Sequence, residues 1–350
     1  MYEEVLPDIF KIAVTLPNNP LRELNAYLVR GLAGATGRNL LIDNGFNTKE
    51  SAADLYAALE ALEVDLAATD FFLTHLHSDH NGLTHGLIRS PESKIMCSRV
   101  DGERINRFIT DETYWVTMLQ GLVRHGFPEM EMRLLAGSHP GKIYASPEPL
   151  DITYVTDGDT VRCGRYAFTV VEVPGHTPGH VSLYEAATRT YVAGDHILGS
   201  ISPNITRWDG VADSLGDYLA SLDKVAALQI DRTLPGHRGL VADTAGRIRE
   251  LQQHHASRLA EVRAILDEHG PLQAYEVASH MRWSLRGITW PEFKVQQKCF
   301  ATGEALAHLT HLAVTGGVVR EDRGERAFFA LKSLKTRHTD RPFSQPRSFS

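Results

Sequence analysis

The segment Thr74-His75-Leu76-His77-Ser78-Asp79-His80 places three imidazoles and a carboxylate within six residues, directly after the apolar run Asp70-Phe71-Phe72-Leu73. A loop leaving a buried strand aims alternate side chains inward, His75 and His77 toward one point and Asp79 and His80 toward another. Neutral imidazole and carboxylate are good ligands for zinc, iron or manganese. Four candidate ligands at this spacing outweigh the ordinary explanation of a single structural histidine. Similar placement recurs at Pro174-Gly175-His176-Thr177-Pro178-Gly179-His180, at Ala193-Gly194-Asp195-His196 and at Leu234-Pro235-Gly236-His237. Each follows a strand-like apolar run, where loops at one end of a sheet can converge, and the glycines allow sharp turns and close backbone approach. The chemistry open to such a set is activation of water by bound cations. No serine sits in a GxSxG setting, so a serine nucleophile is not indicated.

The elements that must position these residues alternate between strand and helix in the first half of the chain. Asn25 to Val29 and Asn39 to Asp43 read as short strands joined by a Gly-rich turn, Arg30 to Arg38. Those glycines resemble a phosphate loop only loosely, because no Lys-Ser/Thr and no helix follow. Asn47 to Ser51 caps an amphipathic helix reaching about Leu62, with Leu55, Ala58, Leu59 and Leu62 on one face. From Asp101 to about Ser146 the pattern becomes helical and aromatic around Tyr114, Trp115 and Met118, then broken by Pro128, Gly137 and His139-Pro140-Gly141. This segment reads as a helical insertion over a sheet edge, a lid or a plain core helix with equal weight. Strands return over 152–195. Beyond Gly236 the chain turns mainly helical: a long helix from about Ala245 to His269 stopped by Gly270-Pro271, a short one over 272–281, another from Phe293 to Thr315, then a hairpin to Leu331. Helices followed by a hairpin form a winged-helix pattern. The polar tail after Lys332 is expected to be disordered.

Composition narrows the function. The chain has 350 residues, 43% hydrophobic and 23% charged, enough for a large core with a smaller second one. Its net charge of −7 and pI near 6.2 argue against a general polyanion binder. Three cysteines, far apart and with no CxxC, argue against a disulfide scaffold or a thiolate zinc site and fit a reducing cytosol. The first residues lack the basic start and apolar run of a signal peptide, and no apolar stretch is long enough to span a bilayer. A cytoplasmic protein without a membrane partner is therefore expected.

Taken in order, the histidine and aspartate motifs resemble the metallo-β-lactamase-fold superfamily over roughly residues 8–240. The resemblance implies an α+β chain: an αββα metallo-β-lactamase sandwich over 1–240, with the helical insertion at 101–149, and a winged-helix-like C-terminal domain over 241–332 ahead of the tail at 333–350. By motif position it implies that His75, His77 and His176 hold one divalent metal ion. Asp79, His80 and His237 would hold a second, with Asp195 bridging both. Zinc is the first expectation for the two ions, iron and manganese the alternatives. A hydroxide bridging the metals would attack, with Asp79 as the catalytic residue that orients it and passes its proton to the leaving group. His180 is expected to support the ligands from behind, and His196 to touch substrate.

Asp195 also sorts the branches of the superfamily, since true β-lactamases lack this aspartate while thioesterases, lactonases and nucleases of the fold have it. The strings around Asp195 and His237 resemble most the glyoxalase II-like hydrolases with a C-terminal winged helix, an arrangement shared with lactamase-like endoribonucleases. Two functions therefore compete: hydrolysis of a small-molecule thioester, ester or lactone, and metal-dependent cleavage of RNA held by the winged helix. Basic and acidic residues nearly cancel over 241–333, whereas a phosphate-gripping domain shows a basic face. Arg282, Arg286, Lys294, Lys298 and Arg320 remain the candidates for a local patch. Tyr114, Trp115 and Met118 would suit an acyl group, so an acyl substrate is favoured over nucleic acid. The apolar helix around Leu306 and Leu309 is expected to dock on the catalytic domain or to form a homodimer face.

Overall fold

The structure is a computed structural model describing residues 1–31, 37–283 and 287–332. The expectations placed on the tail at 333–350, on the middle of the Gly-rich turn and on Arg286 fall outside the described residues. Seven strands form the first sheet in sequence order: β1 (Tyr2–Leu6), β2 (Ile9–Thr15), β3 (Glu23–Val29), β4 (Asn39–Ile42), β5 (Thr69–Phe72), β6 (Ile95–Ser98) and β7 (Ile152–Val155). Pairing is antiparallel from β1 to β4 and parallel from β4 to β7. The second sheet holds β8 (Thr160–Cys163), β9 (Tyr166–Glu172), β10 (Val181–Glu185), β11 (Thr190–Gly194) and β12 (Arg232–Pro235), in spatial order β12-β11-β10-β9-β8.

Side-chain alternation along the strands explains why the sheets stack. Phe72, Leu40 and Ile42 face the second sheet and pack with Phe168, Val170, Leu183 and Val192. Their neighbours Phe71 and Leu41 face outward onto Leu55, Ala58 and Leu59 of α1 (Lys49–Ala61). Both faces of the first sheet are thus apolar, as a sheet covered by helix on one side and sheet on the other requires. Thr48 starts α1 as expected, its hydroxyl accepting from the Ser51 amide at 3.2 Å. Two short helices, α2 (Ser78–Asn81) and α3 (Thr84–Leu87), follow β5. The outer face of the second sheet is covered by a helix the sequence reading did not identify, Ser214–Ala226, through Leu215, Tyr218, Leu222 and Val225. The result is the αββα sandwich.

The insertion is more regular than its turn-forming residues suggested. It comprises α4 (Arg99–Thr110), α5 (Glu112–Arg124), α6 (Glu129–Ser138) and α7 (Pro140–Ile143), so the stretch read as broken is mostly helix. Pro128 caps α6 and Pro140 lies in the first turn of α7, where a missing N–H costs nothing.

With the Ser214–Ala226 helix as α8, the C-terminal part begins at α9 (Thr244–His269) and continues through α10 (Ala274–His280), α11 (Val295–Val314) and the hairpin β13 (Val318–Arg323) and β14 (Arg326–Leu331). The expected break at 240 is not a clean one. The first half of α9 packs Ile248 and Leu251 on the second sheet's helix layer, and its second half packs Val262, Ile265 and Leu266 in the C-terminal core. Leu306 and Leu309 fill that same core and are not displayed on a surface, while Ala307 of α11 docks on the α8 side of the sandwich. Among the described residues no helix is long and apolar enough to cross a membrane.

Candidate metal centre

Five loops meet at one edge of the sandwich, those following β4, β5, β9, β11 and β12. Each leaves the carboxyl end of a strand, so side chains distant in sequence converge. Glycine makes the convergence sterically feasible at two points. Gly194 turns the chain into Asp195 with φ of 53°. A Cβ on Gly236 would lie 2.6 Å from Asp195 Oδ1 and 2.8 Å from His80 Cε1.

The converging atoms form three overlapping groups, His75–His77–His176, His75–His80–Asp195 and Asp79–His80–His237. His77 Nδ1 lies 3.0 Å from both His75 Nε2 and His176 Nε2. On the other side His237 Nε2 is 3.4 Å from Asp79 Oδ2 and 3.5 Å from Asp195 Oδ2, and His80 Nε2 is 3.6 Å from Asp195 Oδ1. Asp195 Oδ2 reaches back to within 3.6 Å of His176 Nε2. It stands between the two sets.

The outward nitrogens show which lone pairs point inward. His80 Nδ1 is 2.7 Å from Asp43 Oδ2, His176 Nδ1 is 2.8 Å from the Asn204 carbonyl, and His237 Nδ1 is 2.7 Å from the Glu23 carbonyl. An acceptor at Nδ1 holds the proton there and leaves Nε2 free as a ligand. His75 is arranged alike: the Thr74 hydroxyl donates to Asp43 Oδ2 at 2.8 Å and so accepts from His75 Nδ1 at 3.0 Å. His80 Nε2, His237 Nε2 and Asp195 Oδ1 are buried without any hydrogen-bond partner. Unpartnered polar atoms crowded beside carboxylates in this way are costly unless positive charge, from a proton or a metal ion, sits among them. The donor set, imidazole nitrogen with carboxylate oxygen, fits a divalent metal ion.

Electrostatics agree. Burial, reinforced by neighbouring histidines, pushes His75 well below the usual range and His77 down to about 3, so both imidazoles are neutral and could serve as ligands. Burial alone would also depress His80, but Asp43, Asp195 and Asp79 together lift it to about 10. Asp79 is held below the usual carboxylate range, against the pull of burial, by His80 and His237.

Three supporting residues escaped the sequence reading. Asp43 directly follows β4 and also takes the Thr74 amide at 2.9 Å. Asp101, at the start of α4, accepts from the Leu76 amide at 3.0 Å and the Gly179 amide at 2.8 Å, tying two ligand loops together. Trp208 donates its indole N–H to the His176 carbonyl at 3.1 Å, with its ring centroid 6.1 Å from His77. Only the loop histidines had a local signature.

His180 lies behind the candidate ligands, its Nε2 accepting the Asp195 amide at 3.1 Å and its ring stacked on His75. His196, expected to touch substrate, is fully buried beneath the loop, with Nδ1 2.9 Å from the Tyr191 hydroxyl. Tyr114, Trp115 and Met118 are likewise not presented as an open substrate wall. Trp115 is 1% exposed, packed on Phe108 and His139, and donates to the Phe108 carbonyl at 3.2 Å. Tyr114 is buried under Arg107, and Met118 packs beside Leu119 and Phe127 in the insertion core.

An αββα sandwich with a buried His/Asp centre at one edge defines a metal-binding hydrolase fold. The signature of the Metallo-beta-lactamase superfamily matches residues 20–237, and the chain belongs to that superfamily. A second signature, the metallo-beta-lactamase-like C-terminal domain, matches residues 259–329. The chain is similar to a probable metallo-hydrolase of Bacillus subtilis, 25% identical across 94% of this chain and 98% of that protein. It is 24% identical to an acyl-coenzyme A thioesterase of Bos taurus, over 61% of this chain and 72% of the relative. A metallo-beta-lactamase family protein of Thermus thermophilus superposes with a TM-score of 0.75 at 27% identity, covering 94% of this chain and 100% of its own. The protein is a hydrolase of this superfamily.

Proposed function

We propose that the chain is a dinuclear metal-dependent hydrolase of small acyl compounds, with thioesters ahead of esters and lactones. The observation carrying this reading is Asp195, whose two oxygens lie against ligand atoms of both sets, with Oδ1 lacking any partner. His75, His77 and His176 would hold one ion, Asp79, His80 and His237 the other, and Asp195 both. Two divalent ions there, zinc before iron or manganese, would supply Lewis acidity and a hydroxide available at neutral pH.

The chain's own residues do the rest. Asp79 is a carboxylate at neutral pH, buried against His237, and would orient the attacking water, accept its proton and return it to the leaving group. A thiolate leaving group needs little such help, because thiols ionise near pH 8.5. Trp208 packs beside the His77 ring and donates to the His176 carbonyl, which fixes that side of the centre.

The thioester preference is supported by the thioesterase among the relatives and by the charge of the C-terminal part. Two of the candidates for a local basic patch are paired there, Lys298 with Glu131 at 3.0 Å and Arg320 with Asp322 at 3.1 Å. A phosphate would have to compete with these carboxylates. The test is metal analysis of the purified protein followed by turnover of acyl-coenzyme A, lactone, aryl ester and short RNA substrates. Two ions per chain and thioester cleavage are expected. One ion per chain would overturn the dinuclear reading, and RNA cleavage without acyl turnover the substrate class.

A further inference from the structure

The loop from Ile197 to Trp208 closes the His176 side of the centre, yet over 202–208 it has no regular secondary structure. Its backbone is not part of a ladder, so its shape depends on what grips it. Ile205 and Trp208 anchor it by burial. Trp208 also donates its indole N–H to the His176 carbonyl, and further grips come from the C-terminal helices. Arg247 of α9 donates to the Leu198 carbonyl at 2.7 Å and the Ile201 carbonyl at 2.8 Å. Glu304 of α11 accepts from the Asn204 side-chain amide at 3.1 Å. One residue earlier on α11, Gly303 lies so close to the loop that a Cβ there would run into the Thr206 hydroxyl.

Asn204 is the residue whose carbonyl holds the proton of His176 Nδ1, at 2.8 Å. Its side chain and its carbonyl thus connect the C-terminal helices to a candidate metal ligand. Glu304 is itself fixed: Arg258 of α9 lies 3.3 Å away and in turn grips Glu261 at 2.7 Å and the Arg282 carbonyl at 2.8 Å. Arg258 is buried and capped by the Trp283 ring. A largely shielded, ion-paired carboxylate is a more rigid acceptor than a solvent-exposed one, and the Asn204 amide gives up this hydrogen bond if it swings to water.

We infer that Glu304 is a positioning residue for the metal centre: through Asn204 it sets the peptide that orients His176, so the C-terminal part completes the ligand set of the catalytic sandwich. This rests on the reading that His75, His77 and His176 hold a divalent ion. Ile205 and Trp208 keep the loop in place without Glu304, so the link governs the aim of the imidazole and not the presence of the loop.

The test is affinity for Zn2+ alone, measured on the full chain by competition with a chromophoric chelator. Glu304→Ala is expected to weaken one Zn2+ about tenfold, the lower end of what outer partners of a ligand contribute. Asn204→Ala, which cuts the same link from the sandwich side and spares the C-terminal core, is expected to match it. The double variant should lose no more than either single one, as two ends of one interaction must. Leu309→Ala, which opens a cavity in the α11 core, should lower the thermal midpoint while leaving Zn2+ affinity unchanged; this separates positioning from general stability. If Glu304→Ala does not fold, Asn204→Ala alone decides. Wild-type affinity in Asn204→Ala, or additive losses in the double variant, overturns the inference and leaves the metal centre standing. A wild-type chain that takes up no Zn2+ overturns the centre itself.

Discussion

Asp43 Oδ2 lies 2.7 Å from His80 Nδ1, with both side chains shut away from solvent. The same carboxylate takes the Thr74 amide and hydroxyl, so one aspartate directly after β4 holds a ligand and the start of the ligand loop together. Asp43→Asn keeps the shape but offers an amide that can present a donor to His80. The proton of His80 then has no reason to stay on Nδ1, and Nε2 is lost as a lone pair for part of the time. Metal affinity is expected to fall between about 10- and 100-fold, the range for such partners. Chelator competition on the variant checks it, and unchanged affinity would assign Asp43 to folding alone.

The same pair gives the metal-free protein a pH dependence. His80 is lifted from 6.5 to about 10, chiefly by Asp43 against the opposing effect of burial. A raised histidine contributes stability that is fully present below its unfolded value near 6.5 and is lost as pH climbs toward 10. His77 behaves oppositely: burial depresses it to about 3, so stability falls as pH drops below 6.5 and the unfolded chain gains the proton. Thermal midpoints in chelator should therefore peak near neutrality and decline on both sides. With metal bound, the cation replaces the proton facing His80 Nε2, and the alkaline decline should vanish. Asp43→Asn should also weaken it in the metal-free chain, Asp195 and Asp79 still raising His80. An alkaline limb identical in all three samples would place its origin elsewhere.

How much of this was legible depended on whether the chemistry was local. The convergence of the candidate ligand loops could be anticipated because ligation would demand particular residue types, and HxHxDH at 75–80 concentrates them within six residues. Asp43 could not, because its partner lies 37 positions away and nothing in Leu41-Ile42-Asp43-Asn44 marks the carboxylate as buried. Asn204 is harder still, since its backbone carbonyl does the work and any residue type supplies one. In the insertion, Pro128, Gly137 and Pro140 looked like breaks, yet they occupy the ends of helices, where such residues are tolerated. The helix at α8 and the strands β1 and β2 were not identified at all, while α9, α11 and the final hairpin came close to their observed limits because strong periodicity and Gly270 or Gly316 frame them.

Asp101 makes a second prediction about the loops. Its carboxylate joins the Leu76 amide, between two ligands, to the Gly179 amide, beside His180, and takes the Thr177 hydroxyl as well. Asp101→Ala would leave two buried N–H groups without acceptors, each costing about 1–3 kcal/mol. Both ligand loops should loosen together, so thermal stability and metal affinity fall in the same variant. Hydrogen exchange at the Leu76 and Gly179 amides is the direct measurement. Protection kept at either amide would show that the loop is held by other contacts.

Trp115 separates the two readings of the insertion. As a substrate wall it would be dispensable for folding and felt in KM. The structure instead buries it to 1% exposure between Phe108, His139 and Gly141, with its indole N–H on the Phe108 carbonyl. Removing a buried tryptophan costs about 3–5 kcal/mol, since it leaves a cavity and lost transfer energy together. Trp115→Ala is therefore expected to lower the denaturation midpoint strongly, and to lower kcat only as α7 loosens where Pro140 accepts from the Ser78 hydroxyl at 3.2 Å, one residue from Asp79. KM for acyl substrates should change little. A raised KM across an acyl-chain series, with the midpoint unmoved, would return Trp115 to the substrate side.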